Sequence, residues 1–261
     1  MAERTFFGTV RLAILLAVLV FVALGAWLDR RRSTDWDGTL RVTVYPVAAD
    51  TDPVTTRFVA GLDDDAFSDV TDFMADEAAR YAVGIDEPVS VRVSHAVREL
   101  PPAAPTDPGP FRVALWSLKL RYWAWRVAAD DPLPPPDVQV FALYHTPDGG
   151  PVAPDSTGLR KGLVAVTHLF AGDEASGGND VVLTHEFLHT LGATDKYDLR
   201  NGQPQAPLGL GDPAQNPLYP QQTGEIMAGR IALNAHEATI PDSLEQMTVG
   251  PVTAREIGWL R

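Results

Sequence analysis

The residues with the clearest capacity for chemistry lie in the segment His185-Glu186-Phe187-Leu188-His189, which has the pattern HExxH. His185 and His189 are four residues apart, so on a helix their side chains point the same way, one turn apart. Two imidazoles at this spacing can both reach one zinc ion at about 2.0–2.1 Å. Glu186 is rotated off their line and can take a proton from a water molecule on the metal. The pattern therefore predicts a zinc site with a general base beside it.

A catalytic zinc site needs a third protein ligand and one open position. Gly192 follows His189 by three residues and permits the left-handed turn that would end the helix and return the chain beneath the metal. Asp195 is six residues after His189 and would then be placed to bind zinc. This pattern resembles the metzincin motif HExxHxxGxxH, with aspartate in place of the third histidine. Among the metzincins it most resembles the snapalysin type, whose motif is HExxHxxGxxD.

A second motif carries the same resemblance. The segment GEIMAG, residues 224–229, resembles the Met-turn that supports the zinc site from below in metzincins. The resemblance covers about residues 160–229, is specific only at these motifs and leaves residues 33–150 unmatched. It implies an α/β (α+β) zincin domain with a mixed sheet and an active-site helix, with zinc as the cofactor and Met227 as the support below it.

Two features depart from that family. Snapalysin-like enzymes are usually secreted and small, whereas this chain has 261 residues and an apolar N-terminal segment. Many metzincins place a tyrosine two residues after the Met-turn methionine, where this chain has Gly229. Tyr197 is a candidate to stabilise the oxyanion instead, and a structural tyrosine is the alternative.

Other side chains compete with Asp195 for the role of third ligand. A gluzincin site would use a glutamate on a later helix in the context ExxxD. The later glutamates all lack that aspartate: Glu225, Glu237, Glu245 and Glu256. His236 is by default a surface or core histidine. His168 ends a candidate edge strand and could line the cleft, although a structural role is favoured.

Hydrophobic periodicity indicates the elements that must position these residues. The HExxH motif is predicted to lie on a helix over about residues 179–191, with Asn179 or Asp180 as N-cap and Gly192 at its end. Alternating or apolar runs predict strands at 40–47, 89–94, 138–144 and 163–169. Helical spacing predicts helices at 65–83 and 111–129. Strands and helices in this order indicate an α/β fold.

The predicted helix at 111–129 carries a conspicuous apolar stripe. Its members are Leu115, Leu118, Tyr122 and Trp125, in a segment that also holds two further tryptophans. The three tryptophans of this segment, Trp116, Trp123 and Trp125, could form a surface that binds substrate or faces a membrane. An ordinary aromatic core helix is the more common arrangement, and we expect one here.

The N-terminus predicts a membrane segment. Residues 12–28 read LAILLAVLVFVALGAWL and contain no charge and no proline. The length of this segment is at the lower limit for a helix that spans a bilayer. Trp27 and the arginines at 30–32 favour a retained anchor over a cleaved signal, although small residues at 23–25 offer a candidate cleavage site. We expect an anchor over residues 1–32, a polar linker at 29–38 and a single domain over 33–261.

Composition excludes several classes of protein. Cysteine is absent, which excludes disulfides, cysteine-ligated zinc, iron–sulfur clusters and thiol catalysis. The net charge of −13 argues against nucleic acid as a partner, because no extended basic surface is available to displace counterions.

Together these features predict a membrane-anchored zinc metallopeptidase with an extracytoplasmic catalytic domain and a peptide or protein substrate. His185, His189 and Asp195 would hold zinc, and Glu186 would act as general base and then as acid. The peptide would add along the strand at 163–169. The alternative is a zinc-binding but non-hydrolytic scaffold or assembly domain, which would not need Glu186. A third possibility is an α/β binding domain in which the HExxH motif is accidental. In that case Gly192, Asp195 and Met227 would also have to occur at their positions by chance.

Overall fold

The structure, a computed structural model, describes residues 34–105, 107, 109–147, 157–159 and 163–260. The predicted anchor at residues 12–28 lies outside these residues, so its insertion into a membrane stays a prediction. Within the described ranges, no helix is long and apolar enough to cross a membrane.

A five-stranded sheet forms the centre of the fold. Its strands are β1 (Leu40–Ala48), β2 (Val89–Val93), β3 (Val138–His145), β4 (Thr157–Leu159) and β5 (Val164–Phe170). Their order across the sheet is β2-β1-β3-β5-β4. The first four in this order run parallel, and β4 pairs antiparallel with β5 at the edge. The predicted α/β class with a mixed sheet is confirmed.

Helices cover both faces of the sheet. They are α1 (Pro53–Ala60), α2 (Ser68–Arg80), α3 (Pro110–Ala129), α4 (Ser176–Leu191) and α5 (Pro251–Glu256). Because side chains alternate along a strand, β1 serves two cores. Val42 and Val44 pack in the core with α1, α2, α4 and α5, whereas Tyr45 and Val47 pack in the core with α3. The sheet is therefore the middle layer of three.

The chain after α4 forms short ladders in place of a second sheet. The pairs are β6 (Tyr197–Asp198) with β7 (Gln203–Pro204), β8 (Gly224–Glu225) with β11 (Met247–Thr248), and β9 (Ile231–Ala232) with β10 (Ala238–Thr239). These two-residue strands fix the loops that follow the HExxH helix. The sequence did not predict them, nor α1, β4 and α5, because elements this short carry little periodicity.

The HExxH helix, α4, begins at Ser176, three residues before its predicted start. The predicted N-cap residues are therefore inside the helix. Asn179 instead bonds to the end of β5: its side chain accepts a hydrogen bond from the Phe170 N–H (3.0 Å) and donates one to the Phe170 carbonyl (2.8 Å). Gly192 ends the helix in the left-handed conformation, with φ 113°, as predicted.

Two predictions about the surface are wrong. The strand predicted at 163–169 is not an edge strand, because β5 lies between β3 and β4. Trp36, inside the predicted linker, is buried. Its indole N–H donates to the Ile257 carbonyl at 2.7 Å, and its ring packs against Trp259 with centroids 5.6 Å apart. Contacts with the far end of the chain draw this part of the linker into the core.

The prediction of an aromatic core helix holds for only one side of α3. The four stripe residues are exposed: Leu115, Leu118, Tyr122 and Trp125. Leu120 and Trp123 pack against the sheet instead. Since both sides of α3 are apolar, its periodicity indicates a helix but does not show which side faces the core.

Asp180 is a buried acid near the start of α4, with 5 % of its surface exposed. It lines a cavity of about 500 Å³ together with Tyr144. Burial, and then the negative charge of Asp69, raise the pKa of Asp180 to about 7. In an unfolded chain an aspartate loses its proton at about pH 3.9. Between these two pH values the folded protein holds one extra proton, so its stability falls as the pH rises.

We expect Asp180→Asn, which has no proton to lose, to raise the free energy of unfolding at about pH 8 by up to about 4 kcal/mol relative to the wild type. At about pH 4 the two proteins should differ little. Thermal unfolding of the full chain in detergent at both pH values measures the difference. Asp173→Asn, an exposed position on the same cavity, is the control. A stability change that is the same at both pH values would contradict the prediction.

Candidate metal centre

Three predicted ligands converge at the carboxyl-terminal end of α4. The Nε2 atoms of His185 and His189 are 3.1 Å apart. Asp195 Oδ1 lies 3.2 Å from the first and 3.1 Å from the second. A tetrahedral zinc ion with bonds of about 2.0–2.1 Å separates its ligand atoms by about 3.3–3.4 Å. A triangle of this size therefore fits zinc with only small adjustment.

The hydrogen bonds of the two imidazoles indicate where their protons lie. His185 Nδ1 is 2.9 Å from the Ile226 carbonyl oxygen, and His189 Nδ1 is 2.9 Å from the Ala193 carbonyl oxygen. A carbonyl oxygen only accepts, so each neutral ring carries its hydrogen on Nδ1 and donates it. The Nε2 lone pairs are then left facing each other. Metal-binding histidines are typically held this way by a partner on the other ring nitrogen.

Asp195 makes the arrangement one that a cation would stabilise. Its Oδ1 is buried and, among the described residues, has no hydrogen-bond partner. With both histidines neutral, three lone-pair atoms face one another with no hydrogen between them, which is unfavourable without a positive charge. Two imidazoles and one carboxylate form a donor set that suits zinc and leaves a fourth position open. The described residues therefore fit the metal that the motif predicts.

The pKa values of the cluster show the same preference for positive charge. Burial lowers the pKa of His189, but the nearby Asp195 carboxylate, the hydrogen bond to the Ala193 carbonyl and the negative charge of Glu186 outweigh burial, so the pKa is raised. Burial raises the pKa of Asp195, but its contacts with His185 and His189 outweigh burial and hold the pKa well below its usual range. A positive charge bound among these three side chains is thus favoured.

A carboxylate clamp fixes the turn that presents Asp195. Glu256 on α5 accepts hydrogen bonds from the Thr194 N–H (3.0 Å) and hydroxyl (2.7 Å). It also accepts one from the buried ammonium of Lys196 at 2.8 Å. Burial raises the pKa of Glu256, but the bonds from Lys196 and Thr194 outweigh it and lower the pKa. Both chain neighbours of Asp195 are thereby held in place.

The Met-turn-like segment at 224–229 contacts the ligands from the other side. The Ile226 carbonyl accepts a hydrogen bond from the His185 Nδ1–H, as described above, and the Met227 carbonyl accepts one from the Lys196 N–H at 2.9 Å. Met227 is completely buried. Two successive carbonyls of this segment therefore hold His185 directly and hold Lys196, the residue that follows Asp195.

Glu225 holds this segment in shape. It is completely buried, and its carboxylate accepts hydrogen bonds from the Met227 N–H (2.6 Å), the Gly250 N–H (3.1 Å) and the Thr253 hydroxyl (2.6 Å). Burial raises the pKa of Glu225 even though these donors and the charge of Lys196 act to lower it. The Glu225 carboxylate is bound within this turn and is not one of the three side chains that face one another at the candidate metal site.

Glu186 and Tyr197 complete the surroundings of the cluster. Glu186 is buried, and its negative charge contributes to the raised pKa of His189. The ring of Tyr197, half-buried on β6, has its centroid 6.3 Å from that of the His185 ring. Tyr197 is thus near the ligands without being one of them, and its role toward an oxyanion stays a prediction.

The competing ligands lie elsewhere. Glu225 and Glu256 are engaged as described above, and the remaining candidates are exposed: His236, Glu237 and Glu245. His168 lies on the α3 side of the sheet, opposite α4, where its Nδ1 is 2.8 Å from His145 Nε2. The two rings line a separate cavity of about 350 Å³. His168 therefore does not line a cleft at the candidate metal site.

Sequence reasoning missed the residues that support the ligands. Glu256 and Lys196 are 60 residues apart, so no local spacing connects them. One sequence feature pointed to Glu225: it stands directly before Ile226 and Met227 in the Met-turn-like segment. This position does not indicate that its side chain is buried.

No protein-family model matches this chain, and no curated protein is significantly similar to it. The interpretation of the metal centre rests on its geometry: three facing lone-pair atoms, two fixed tautomers and a buried glutamate.

Proposed function

We propose that this protein is a zinc-dependent metallopeptidase with a metzincin-like catalytic domain, tethered by its N-terminal segment outside the cytoplasm. One observation carries the proposal: His185 Nε2, His189 Nε2 and Asp195 Oδ1 lie within 3.2 Å of one another beside the buried Glu186. The helix end at Gly192 and the buried tight turn at 226–228 support the same family, since both occur in the expected order along the chain.

Each side chain has a defined part in hydrolysis. Bound zinc would lower the pKa of a water molecule and polarise the carbonyl of the substrate. His185 and His189 keep their Nε2 lone pairs turned inward because their Nδ1 protons are held by backbone carbonyls. The Glu186 carboxylate takes a proton from the attacking water and passes it to the leaving amine. The hydroxyl of Tyr197 is the donor that we assign to the oxyanion.

The open edge of the sheet supports an extended peptide as substrate. Among the residues that the structure describes, strand β4 is the last strand of the sheet and pairs with β5 on one side only, while α4 packs beside both strands. A peptide that added to β4 would form main-chain hydrogen bonds beside α4, the helix that carries His185 and His189. Binding of this kind depends little on side chains, so we propose a peptidase with broad sequence tolerance.

A cleavage assay with the full chain tests this function. We expect the zinc-loaded protein to cleave members of a peptide library, with products identified by mass spectrometry. A chelator should abolish cleavage, and added zinc should restore it, because the ligands hold the metal reversibly. Zinc bound without cleavage of any peptide would instead favour the non-hydrolytic scaffold.

A further inference from the structure

Helix α3 presents an unusual amount of apolar surface to solvent. Leu118, Tyr122 and Trp125 are 62 %, 65 % and 63 % exposed, and Phe111 and Leu115 extend the same row toward the start of the helix. Their spacing of four and three residues places them on one face. Contiguous exposed apolar patches commonly mark a surface that something else covers. We call this row the α3 stripe.

The orientation of α3 is fixed by its opposite side. Leu120, Trp123 and Ala124 are buried against the sheet. The ring of Trp123 packs on Phe141 of β3 with centroids 4.4 Å apart. Rotating the α3 stripe inward would expose this core, so the stripe faces outward as a consequence of the packing.

The charge of α3 is opposite to that of the protein. The helix contains four bases and no acid, whereas the chain has a net charge of −13. Arg112, Lys119 and Arg126 follow one another at intervals of seven residues along one side of the α3 stripe, and Arg121 lies on the other side. Two of them form ion pairs, Arg112 with Asp107 and Arg126 with Glu99. Exposed pairs such as these bind weakly and exchange easily for other anions.

We propose that α3 lies against the surface of an anionic lipid bilayer, with the α3 stripe inserted at the boundary between headgroups and acyl chains. Helices that bind membranes in this way combine an apolar face rich in tryptophan, phenylalanine and leucine with flanking lysine and arginine. Tyrosine and tryptophan are also favoured at that depth, and the rings of Tyr122 and Trp125 lie side by side with centroids 5.9 Å apart.

The predicted N-terminal membrane segment would keep the domain near a bilayer. The sequence predicts a membrane segment that ends at Leu28, and the described chain begins six residues later at Thr34. Six extended residues span at most about 20 Å. The domain would therefore stay within a short distance of the bilayer surface.

A second copy of the chain is a less favourable partner for the α3 stripe. Two such helices packed face to face would bring their rows of arginine and lysine together. Because α3 carries no acid, these charges would meet no opposite charge on the partner helix, and like charges at close range are repulsive.

Fluorescence of the full chain in vesicles tests the proposal. The chain has no cysteine, so Leu118→Cys can carry a single environment-sensitive label. Ile240→Cys, which is 68 % exposed and lies just after β10, is the matched control. In vesicles of equimolar phosphatidylcholine and phosphatidylserine, we expect spin-labelled lipid to quench the label at 118 at least about twofold more than the label at 240.

The charge dependence distinguishes the outcomes. Phosphatidylcholine alone, or the combined variant Arg112→Gln, Lys119→Gln and Arg126→Gln, should remove most of the quenching at 118 while the N-terminal segment keeps the protein on the vesicle. Quenching at 118 no stronger than at 240 would overturn the proposal, as would equal quenching with and without phosphatidylserine. Rapid disulfide formation between two copies at position 118 in detergent would instead identify a second copy as the partner and overturn it too.

Discussion

Glu186→Gln should lower the rate of peptide hydrolysis by about 10²-fold or more while zinc remains bound. Glutamine has nearly the same shape as glutamate, so it can occupy the same buried position beside His189. Its amide cannot accept the proton of the attacking water, and the leaving amine then receives no proton from this side chain. The rate of cleavage of a library-derived peptide and the zinc content per chain, both measured on the full chain, are the two readouts.

Glu245→Gln is the matched control for this variant. Glu245 is an exposed acid, and its replacement also removes one negative charge. It should leave both hydrolysis and zinc content at the level of the wild type. Undiminished cleavage by Glu186→Gln would refute Glu186 as the general base. Loss of zinc from that variant would mean that the glutamate helps to hold the metal.

Asp195→Ala should weaken zinc binding by more than about 10²-fold, since even the loss of an outer hydrogen-bond partner of a ligand typically costs 10–100-fold. The substitution removes one of three facing ligand atoms and leaves two histidines, which is unusual for a catalytic zinc site. Zinc content after dialysis against a weak competing chelator measures the loss. This readout does not depend on activity, so it tests the ligand even if the protein hydrolyses nothing.

Two further variants make the assignment of Asp195 specific. Asp195→His should retain zinc better than Asp195→Ala, because an imidazole can replace the carboxylate as third ligand. Asp198→Ala alters the same turn, but Asp198 is bound to Arg200, with a shortest contact of 2.6 Å, and lies outside the cluster. It should change zinc content little. Equal zinc content in the wild type and in Asp195→Ala would end the assignment.

The sequence by itself determined the parts of the site that depend on local geometry. The spacing of His185 and His189 on a 3.6-residue helix places them on one face, wherever the helix packs. Gly192 ends that helix because the left-handed conformation, with φ 113°, is one that only glycine adopts readily. Asp195 follows in the next turn and is brought to the histidines. The long strands were also predictable, since alternation of apolar residues is a local pattern.

The tertiary structure alone decided what surrounds those residues. Burial and hydrogen bonds across long sequence distances hold these side chains in place. The Ile226 carbonyl holds His185, and the Glu256 carboxylate holds Thr194 and Lys196, the two chain neighbours of Asp195. A carbonyl oxygen is present in every residue, so no sequence pattern marks the one that will meet a histidine. Only the folded chain brings such groups within hydrogen-bonding distance.

Helix α3 shows the same limit for a surface. Apolar residues on both of its sides predicted a helix correctly but left its rotation undetermined. Packing of Leu120 and Trp123 into the sheet set that rotation and turned Leu118, Tyr122 and Trp125 outward. The physical reason is that burial depends on which side finds a complementary partner. The partner here is a sheet whose strands begin as far back as Leu40, before the helix start at Pro110, and extend to Phe170, after the helix end at Ala129.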